Sequence, residues 1–498
     1  SALEDARLGR HSFAGADPYL WLRASARRVE IEVRRAVRPG LSEGHHRIEG
    51  DPSDCARALL PRADSMVTST RPGGGAGARR WHEVAGLSAG HEIPFLGGAV
   101  GFFGYELAGA IESRLHFENP DDLGMPDLSL AFVDRVLAFD HRAGRLWVVG
   151  LGFGDGRQSP GGAARETAVA RSRRVADALA QRVARTLSEG PPVSVTRPTP
   201  IDDEAEGAGY RARASTLALA STVDASGYAK SVDAVLQEIG AGNVYQANFS
   251  QRLSTEAPID PWRLYQALRA ENPAPFAAYL ALPEGAVLSS SPERFLRVDA
   301  ARRVESRPIK GTRPRGEDAV SDERLARELA SSEKDRAENL MIVDLVRNDL
   351  GRVCRPGSIA VPELMKIESY AAVLQMVSTV TGELATGRDA LDLVRATFPP
   401  GSMTGAPKLA AIELLEALES VRRGVYAGAL GYLDLRGGLD LSVVIRTLVC
   451  RGDRVHLHVG GGIVADSIPE AEYLESLDKA RAPLAAIERA LALPPRER

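Results

Sequence analysis

The sequence predicts an α+β protein organised around large, mostly antiparallel sheets, and three observations carry that prediction. Short β-like runs punctuated by glycine turns fill residues 1–152. A Gly/Pro-rich stretch then interrupts the pattern, and from residue 228 helical spacing alternates with strand-like runs to residue 487.

In chain order, Val29–Val33, Leu128–Val133 and Leu146–Val149 read as strands, with the densest turn chemistry in FLGGAVGFFGYELAG at 95–109. Residues 1–152 are therefore expected to form an N-terminal sheet domain. Residues 153–227 mix Gly/Pro punctuation with one alanine- and arginine-rich helix and read as a connector. Val232, Val235, Leu236 and Ile239 then recur at helical spacing until Gly240 and Gly242 stop the helix, and the strand VYQANFSQRL follows. Further helices are expected at 321–352, 363–381, 389–397, 405–420 and 469–491. Strands are expected at 277–282, 294–298, 427–434, 441–450 and 455–464. Residues 228–487 make a second domain on this reading, and 488–498 a tail.

At 498 residues the chain is longer than a single core usually grows. A 44% apolar content, 26% charge and a net charge of −4 describe an ordinary soluble protein, without the basic excess that nucleic acid or acidic lipid recruits. No apolar run approaches a membrane span, and the first residues lack a signal-peptide layout. The three cysteines, Cys55, Cys354 and Cys450, are scattered. That pattern suits a reducing compartment, so a cytoplasmic location is expected.

Two acidic pairs stand out. Asp335 and Glu338 lie three apart, as do Glu472 and Glu475, so each pair shares a helix face near an N-terminal end. Two helices could each offer carboxylates to one hard cation such as Mg²⁺. Equally, acidic first turns can simply complement helix dipoles, and Lys479 can be an i,i+4 partner of Glu475. PGSMTGAPKLA and GGAVGFFG lack the spacings of phosphate and dinucleotide loops. HVGGGIVADS could present backbone N–H groups of Gly461 and Gly462 to an anion, or mark a close chain crossing. No cysteine has the setting of an activated nucleophile, so the chain should not hydrolyse glutamine. SRPIKGTRPRG is unusual in boxing Lys310 between proline and glycine among arginines.

YQANFSQR, SSSPERFL, RPIKGTRPRG, DRAENLMIVDLVRNDLGRV, FPPGSMTGAPK, RGVYAGALGYLD, VVIRT and GGGIVADSIPEAEYLESLDKA, taken in order, resemble the chorismate-binding enzymes. That family includes the large subunits of anthranilate synthase and aminodeoxychorismate synthase. The likeness runs from about 228 to 487. It is weaker in LEDARLGRHSFAGADP and GGAVGFFGYE, which resemble an N-terminal domain that holds tryptophan in some members. The resemblance implies an anthranilate-synthase-like α+β fold in two parts, its antiparallel sheets packed as a sandwich with flanking helices.

It also implies roles. Glu338 and Glu475 would bind Mg²⁺ directly, with Asp335 and Glu472 acting through water, and the ion would neutralise the ring carboxylate of chorismate. Tyr426, Arg446, Lys479 and the backbone of Gly461 and Gly462 would anchor the substrate carboxylates, with Gln246 and Thr312 completing the substrate site. Members that add water carry lysine in place of Gln246, which argues against isochorismate or salicylate synthesis. At the boxed motif, PIKGT resembles aminodeoxychorismate synthases, whereas anthranilate synthases resemble PIAGT. Lys310 would attack C2 as hydroxide leaves C4, after which ammonia enters at C4 and expels the lysine. Glu293 would protonate the departing hydroxyl. Arg307 and Arg313 are expected to disfavour the Lys310 ammonium. Many members carry histidine where this chain has Gln375, which cannot shuttle a proton. Ammonia would come from a glutaminase partner. A homologue that had lost the reaction would lack an acidic ligand, Arg446 or Glu293, and all are present.

Overall fold

The computed structural model describes residues 8–38, 40–60, 66–73, 82–85, 93–153, 163–188, 217–370 and 373–492. Most of the expected connector (154–162 and 189–216) and the end of the tail (493–498) lie outside them. The connector's expected helix is present as Ala163–Ser188. It lies against the strand Arg145–Phe153 because Gly152 has no Cβ to collide with the Ala168 carbonyl.

The described strands form three sheets in which every pairing is antiparallel. A five-stranded sheet comes from the first 153 residues. A seven-stranded sheet has Gln246–Glu256 paired with Arg454–Ile463 near its centre. The largest sheet has twelve strands and runs from Ile309–Pro314 at one end to Gly44–Glu49 at the other. Within it, Gly98–Phe103 pairs with Ala429–Asp434, so early and late segments share one hydrogen-bonded ladder.

The period of two along a strand explains how the sheets stack. In Gly285–Ser291, Ala286 and Leu288 face a core shared with the helices Pro261–Glu271 and Pro469–Ala492, while Val287 faces the other way. There Val287 and Val449 meet Phe102 and Leu430 of the twelve-stranded sheet. Each such side chain withdrawn from water stabilises the fold by about 1.5–3 kcal/mol. The sandwich with flanking helices implied by the resemblance is thus realised.

Three local expectations are corrected. The helix expected at 363–381 is a hairpin of Ala360–Ser369 and Val373–Glu383. Val373, Val377, Thr379, Val380 and Thr381 are β-branched, and the second strand is buried along most of its length, which erases the alternation that marks a strand. The helix expected at 321–352 is two, Ala319–Ser331 and Glu333–Gly351. Ser332 leaves the helical region at ψ 111°, and its Oγ accepts the Asp335 N–H at 3.3 Å. A cap of this kind is worth about 1 kcal/mol and starts a new helix just before the first acidic pair. The strand expected at 441–450 breaks into Leu439–Val443 and Thr447–Arg451, which belong to different sheets. Arg446 stands at that crossover with φ +51°. The segment SRPIKGTRPRG holds the edge strand Ile309–Pro314. No described helix is long and apolar enough to cross a membrane.

Candidate active site

The site forms where the edge strand Ile309–Pro314 meets the paired strands Gln246–Glu256 and Arg454–Ile463. Ala247 and Phe249 face the helices Ala225–Gly240 and Lys408–Leu418, so Gln246 and Asn248 face the opposite side of the sheet. Gly462 stands opposite Asn248 in the ladder. A Cβ on Gly462 would fall 2.5 Å from Gln246 Nε2 and 3.2 Å from Lys310 Nζ, so the missing side chain leaves space that all three residues border. Gln246 is fully buried, yet neither of its amide atoms has a hydrogen-bond partner. Leaving a buried amide unpaired costs about 1–3 kcal/mol, a cost a polar ligand can remove.

Lys310 does not stand among free cations. Arg307 is buried and engaged with Glu368 at 2.6 Å, while Arg313 pairs with Asp335 at 3.1 Å and Glu328 at 3.3 Å. Lys310 instead has Glu338 at 4.0 Å and feels Glu293 and Glu475 electrostatically. The expected crowding by arginines is therefore overturned, because each has its own carboxylate. Gly311, at φ +82°, takes the chain past the acidic helix where a Cβ would press within 3.0 Å of the Asp335 side chain.

Burial pushes Glu293 up from 4.5 to about 7. Lys310, the Ser402 hydroxyl and the Ile309 N–H pull it back only in part. Desolvation disfavours the carboxylate, so this group holds a proton near neutrality. Burial likewise pushes Glu338 up. For Glu475 burial acts in the same direction, but Lys479, Lys334 and Lys310 outweigh it and hold the carboxyl below its usual range.

Above Gln246 lie the expected anchors. Tyr426 is buried near Asn248 and is pushed up to about 12 by burial, so its hydroxyl stays a donor. Its ring stacks on His458 at 5.1 Å and 11°. His458 is held neutral by burial, and its Nε2 has no partner. Burial draws the Arg446 guanidinium down, with Tyr426 and Glu475 opposing, and among the described residues it has no hydrogen-bond or ion-pair partner. A guanidinium stays charged in such a place, so Arg446 offers an uncommitted fork. Thr312 is exposed and is placed only by its register opposite the buried Gln375. Sequence reasoning passed over Asn248, His458 and Ser402. His456 and His458 alternate with Val455, Leu457 and Val459 directly before the three glycines, a polar strand face that was there to be read.

The four acidic candidates line up on the facing helices Glu333–Gly351 and Pro469–Ala492, and each has a cation. Glu338 has Lys310, Asp335 has Arg313, Glu472 has Lys334 at 3.8 Å, and Glu475 has Lys479 at 2.7 Å. Lys479 also donates to the Gly460 carbonyl at 2.9 Å, and Glu472 accepts from Ser467 at 2.6 Å. With the carboxylates so matched, no three His, Cys, Asp or Glu groups among the described residues converge as a metal cluster. The donor set still suits a hard dication: it is all oxygen, and Gly461 keeps a gap that a Cβ would fill 2.8 Å from Glu472 Oε2 and 4.0 Å from Glu475 Oε1. The glycine run is thus both of the things it could be, since Gly460 crosses close to Phe249 while Gly461 and Gly462 open onto the site. Burial pushes the thiols of Cys354 and Cys450 up to about 11 and about 12, which leaves them poor nucleophiles.

Comparison with known proteins identifies the family of the chain. The family model described as chorismate binding enzyme matches residues 56–485. An aminodeoxychorismate synthase of Streptomyces griseus is 42% identical over 422 residues, 84% of this chain and 54% of that protein. This chain thus spans about half the length of that relative. Anthranilate synthase component 1 of Thermus thermophilus is 42% identical over 399 residues, 80% of this chain and 79% of that one. The crystal structure of anthranilate synthase component I from Streptococcus pneumoniae superimposes with a TM-score of 0.72 at 26% identity, covering 97% of this chain and 94% of the other.

Proposed function

The chain belongs to the chorismate-binding enzymes, a family of the anthranilate and aminodeoxychorismate synthase type, and we propose that within it this protein aminates chorismate to 4-amino-4-deoxychorismate through a covalent bond to Lys310. The observation that carries this reading is the position of the Lys310 amine, beside Gln246 and Gly462 and within the field of a protonated Glu293.

In this reading Arg446 and Tyr426 hold the substrate carboxylates, and the Gln246 amide donates to the ring substituents it faces. The Lys310 amine bonds to C2 while the double bond shifts and the C4 hydroxyl leaves with the Glu293 proton, as water. Ammonia then bonds to C4, the double bond returns and the Lys310 amine departs. Gln246 cannot deprotonate water, which disfavours hydration as the competing outcome. Glu338 and Glu475 would hold Mg²⁺, with Asp335 and Glu472 through water. When bound, the ion supplies charge neutralisation for the substrate carboxylate beside these acidic groups. Ammonia would be delivered by a separate glutaminase component, in keeping with relatives named as component 1, in a cytoplasmic setting.

The second reading is anthranilate synthesis, favoured by the equal identity to the Thermus relative. One experiment divides the two. The purified chain is incubated with chorismate, Mg²⁺ and ammonium at alkaline pH, and products are separated and weighed. Aminodeoxychorismate as main product, lost in Lys310→Ala, supports the leading reading. Fluorescent anthranilate as main product, or full activity in Lys310→Ala, overturns it.

A further inference from the structure

Glu293 gives up its proton in the first half of the proposed reaction and must regain one, and the structure offers a way in that does not cross the substrate. A cavity of about 20 Å³ lies beside Glu293, and Asp349 also lines it. That is room for one water, with Glu293 and Asp349 both on its wall. Asp349 also lines a second, far larger space, an open cleft of about 700 Å³ that Lys408 and Arg352 border. None of Lys310, Gln246, Tyr426, Arg446, Glu338 or Glu475 lines that cleft. Glu338 and Asp349 stand eleven residues apart on one helix, roughly 16 Å at 1.5 Å per residue, so the cleft opens well away from the acidic face of the site.

We propose that Asp349 is a relay residue acting through Glu293: it takes a proton from solvent in the cleft and passes it, across one water in the small cavity, to the Glu293 carboxylate. Asp349 does not touch substrate. Only O–H bonds form and break: a solvent acid protonates Asp349, the water accepts that proton while giving its own to Glu293, and Asp349 ends ionised as it began. The surrounding charges suit the task. Asp349 is buried beside the Lys408 ammonium at 2.6 Å, with Arg352 nearby, and burial holds its carboxyl above the usual range. Lys408 is itself pinned by the carbonyls of Thr397 and Pro399, so it stays in place as the proton passes. On the other side Glu293 faces Lys310, Ser402 and the Ile309 N–H. Burial thus favours the proton-bearing form of both carboxyls over its level in water.

This inference rests on the proposed chemistry, so wild-type turnover of chorismate with Mg²⁺ and ammonium is measured first. Its absence overturns the reading of the site itself. Given turnover, Asp349→Asn is expected to lower kcat by at least about tenfold, leave the KM for chorismate unchanged, enlarge the solvent deuterium isotope effect, and recover when imidazolium is supplied at millimolar concentration. A purely structural role would move kcat and KM together without rescue. Val346→Ile adds a methylene to the wall of the small cavity and leaves both carboxyls in place. It is expected to slow kcat with a raised isotope effect that imidazolium does not relieve. If Asp349→Asn does not fold, Val346→Ile decides alone. Folded variants that keep the wild-type kcat and isotope effect, or an Asp349→Asn loss that imidazolium fails to restore, sink the relay and leave the amination reading standing.

Discussion

Replacing Glu293 with glutamine should make the protein more stable and inactive at once. The wild-type carboxyl is raised from 4.5 to about 7 by burial, with Ser402 and the Ile309 N–H bonded to it. Unfolded, it ionises near 4.5, so between there and 7 the unfolded state releases a proton that the folded state keeps. Each pH unit in that window is worth about 1.4 kcal/mol, so the folded state is penalised by about 3 kcal/mol above pH 7 and not at all below pH 4.5. A raised carboxyl thus contributes stability that is present in acid and lost as pH rises through its folded value. Glutamine keeps the shape and hydrogen-bonding capacity without the charge. In urea unfolding, Glu293→Gln should therefore gain about 2–3 kcal/mol on the wild type as pH goes from 5 to 8.5, while turnover falls by 10²–10⁴-fold. A stability difference independent of pH would refute the reasoning, because it would mean that the wild-type carboxyl ionises normally when buried.

Two further outcomes test neighbouring groups. Glu338→Ala removes the carboxylate nearest Lys310 and one half of an acidic pair, so Mg²⁺-dependent turnover should be lost and calorimetric Mg²⁺ titration should flatten. A variant that keeps both would return Glu338 to charge balance for Lys310 alone. Arg446→Lys replaces an uncommitted planar fork with a point charge, so the KM for chorismate should rise by about 10- to 100-fold, the worth of one charge-assisted hydrogen bond. An unchanged KM would show that Arg446 does not hold the substrate.

What the sequence disclosed and what it hid follow from how information is stored along a chain. Local spacing marked Asp335 with Glu338 and Glu472 with Glu475, and the helices that carry them are there. The sandwich was legible only through the resemblance of the ordered motifs to a known family, since local spacing does not record how sheets stack. Spacing misled wherever burial was uniform, since Val373–Glu383 has no wet face to alternate with. It also could not register partners distant in sequence. Arg307 and Arg313 look like company for Lys310 only until Glu368, Glu328 and Asp335 arrive from other elements to claim them. Ser402 was equally hidden, because its relation to Glu293 spans more than a hundred residues and exists only after folding.

The three-residue passage Val444–Arg446 carries one strand out of the twelve-stranded sheet and into the seven-stranded one, and the proposed substrate anchor is its last residue. Lys310 is fixed to the first sheet, Gln246 to the second. A molecule gripped by all three acts as a rivet through both leaves. Occupancy and the alignment of the leaves are then one mechanical variable, and sliding of one sheet over the other loosens the grip without any change inside the pocket.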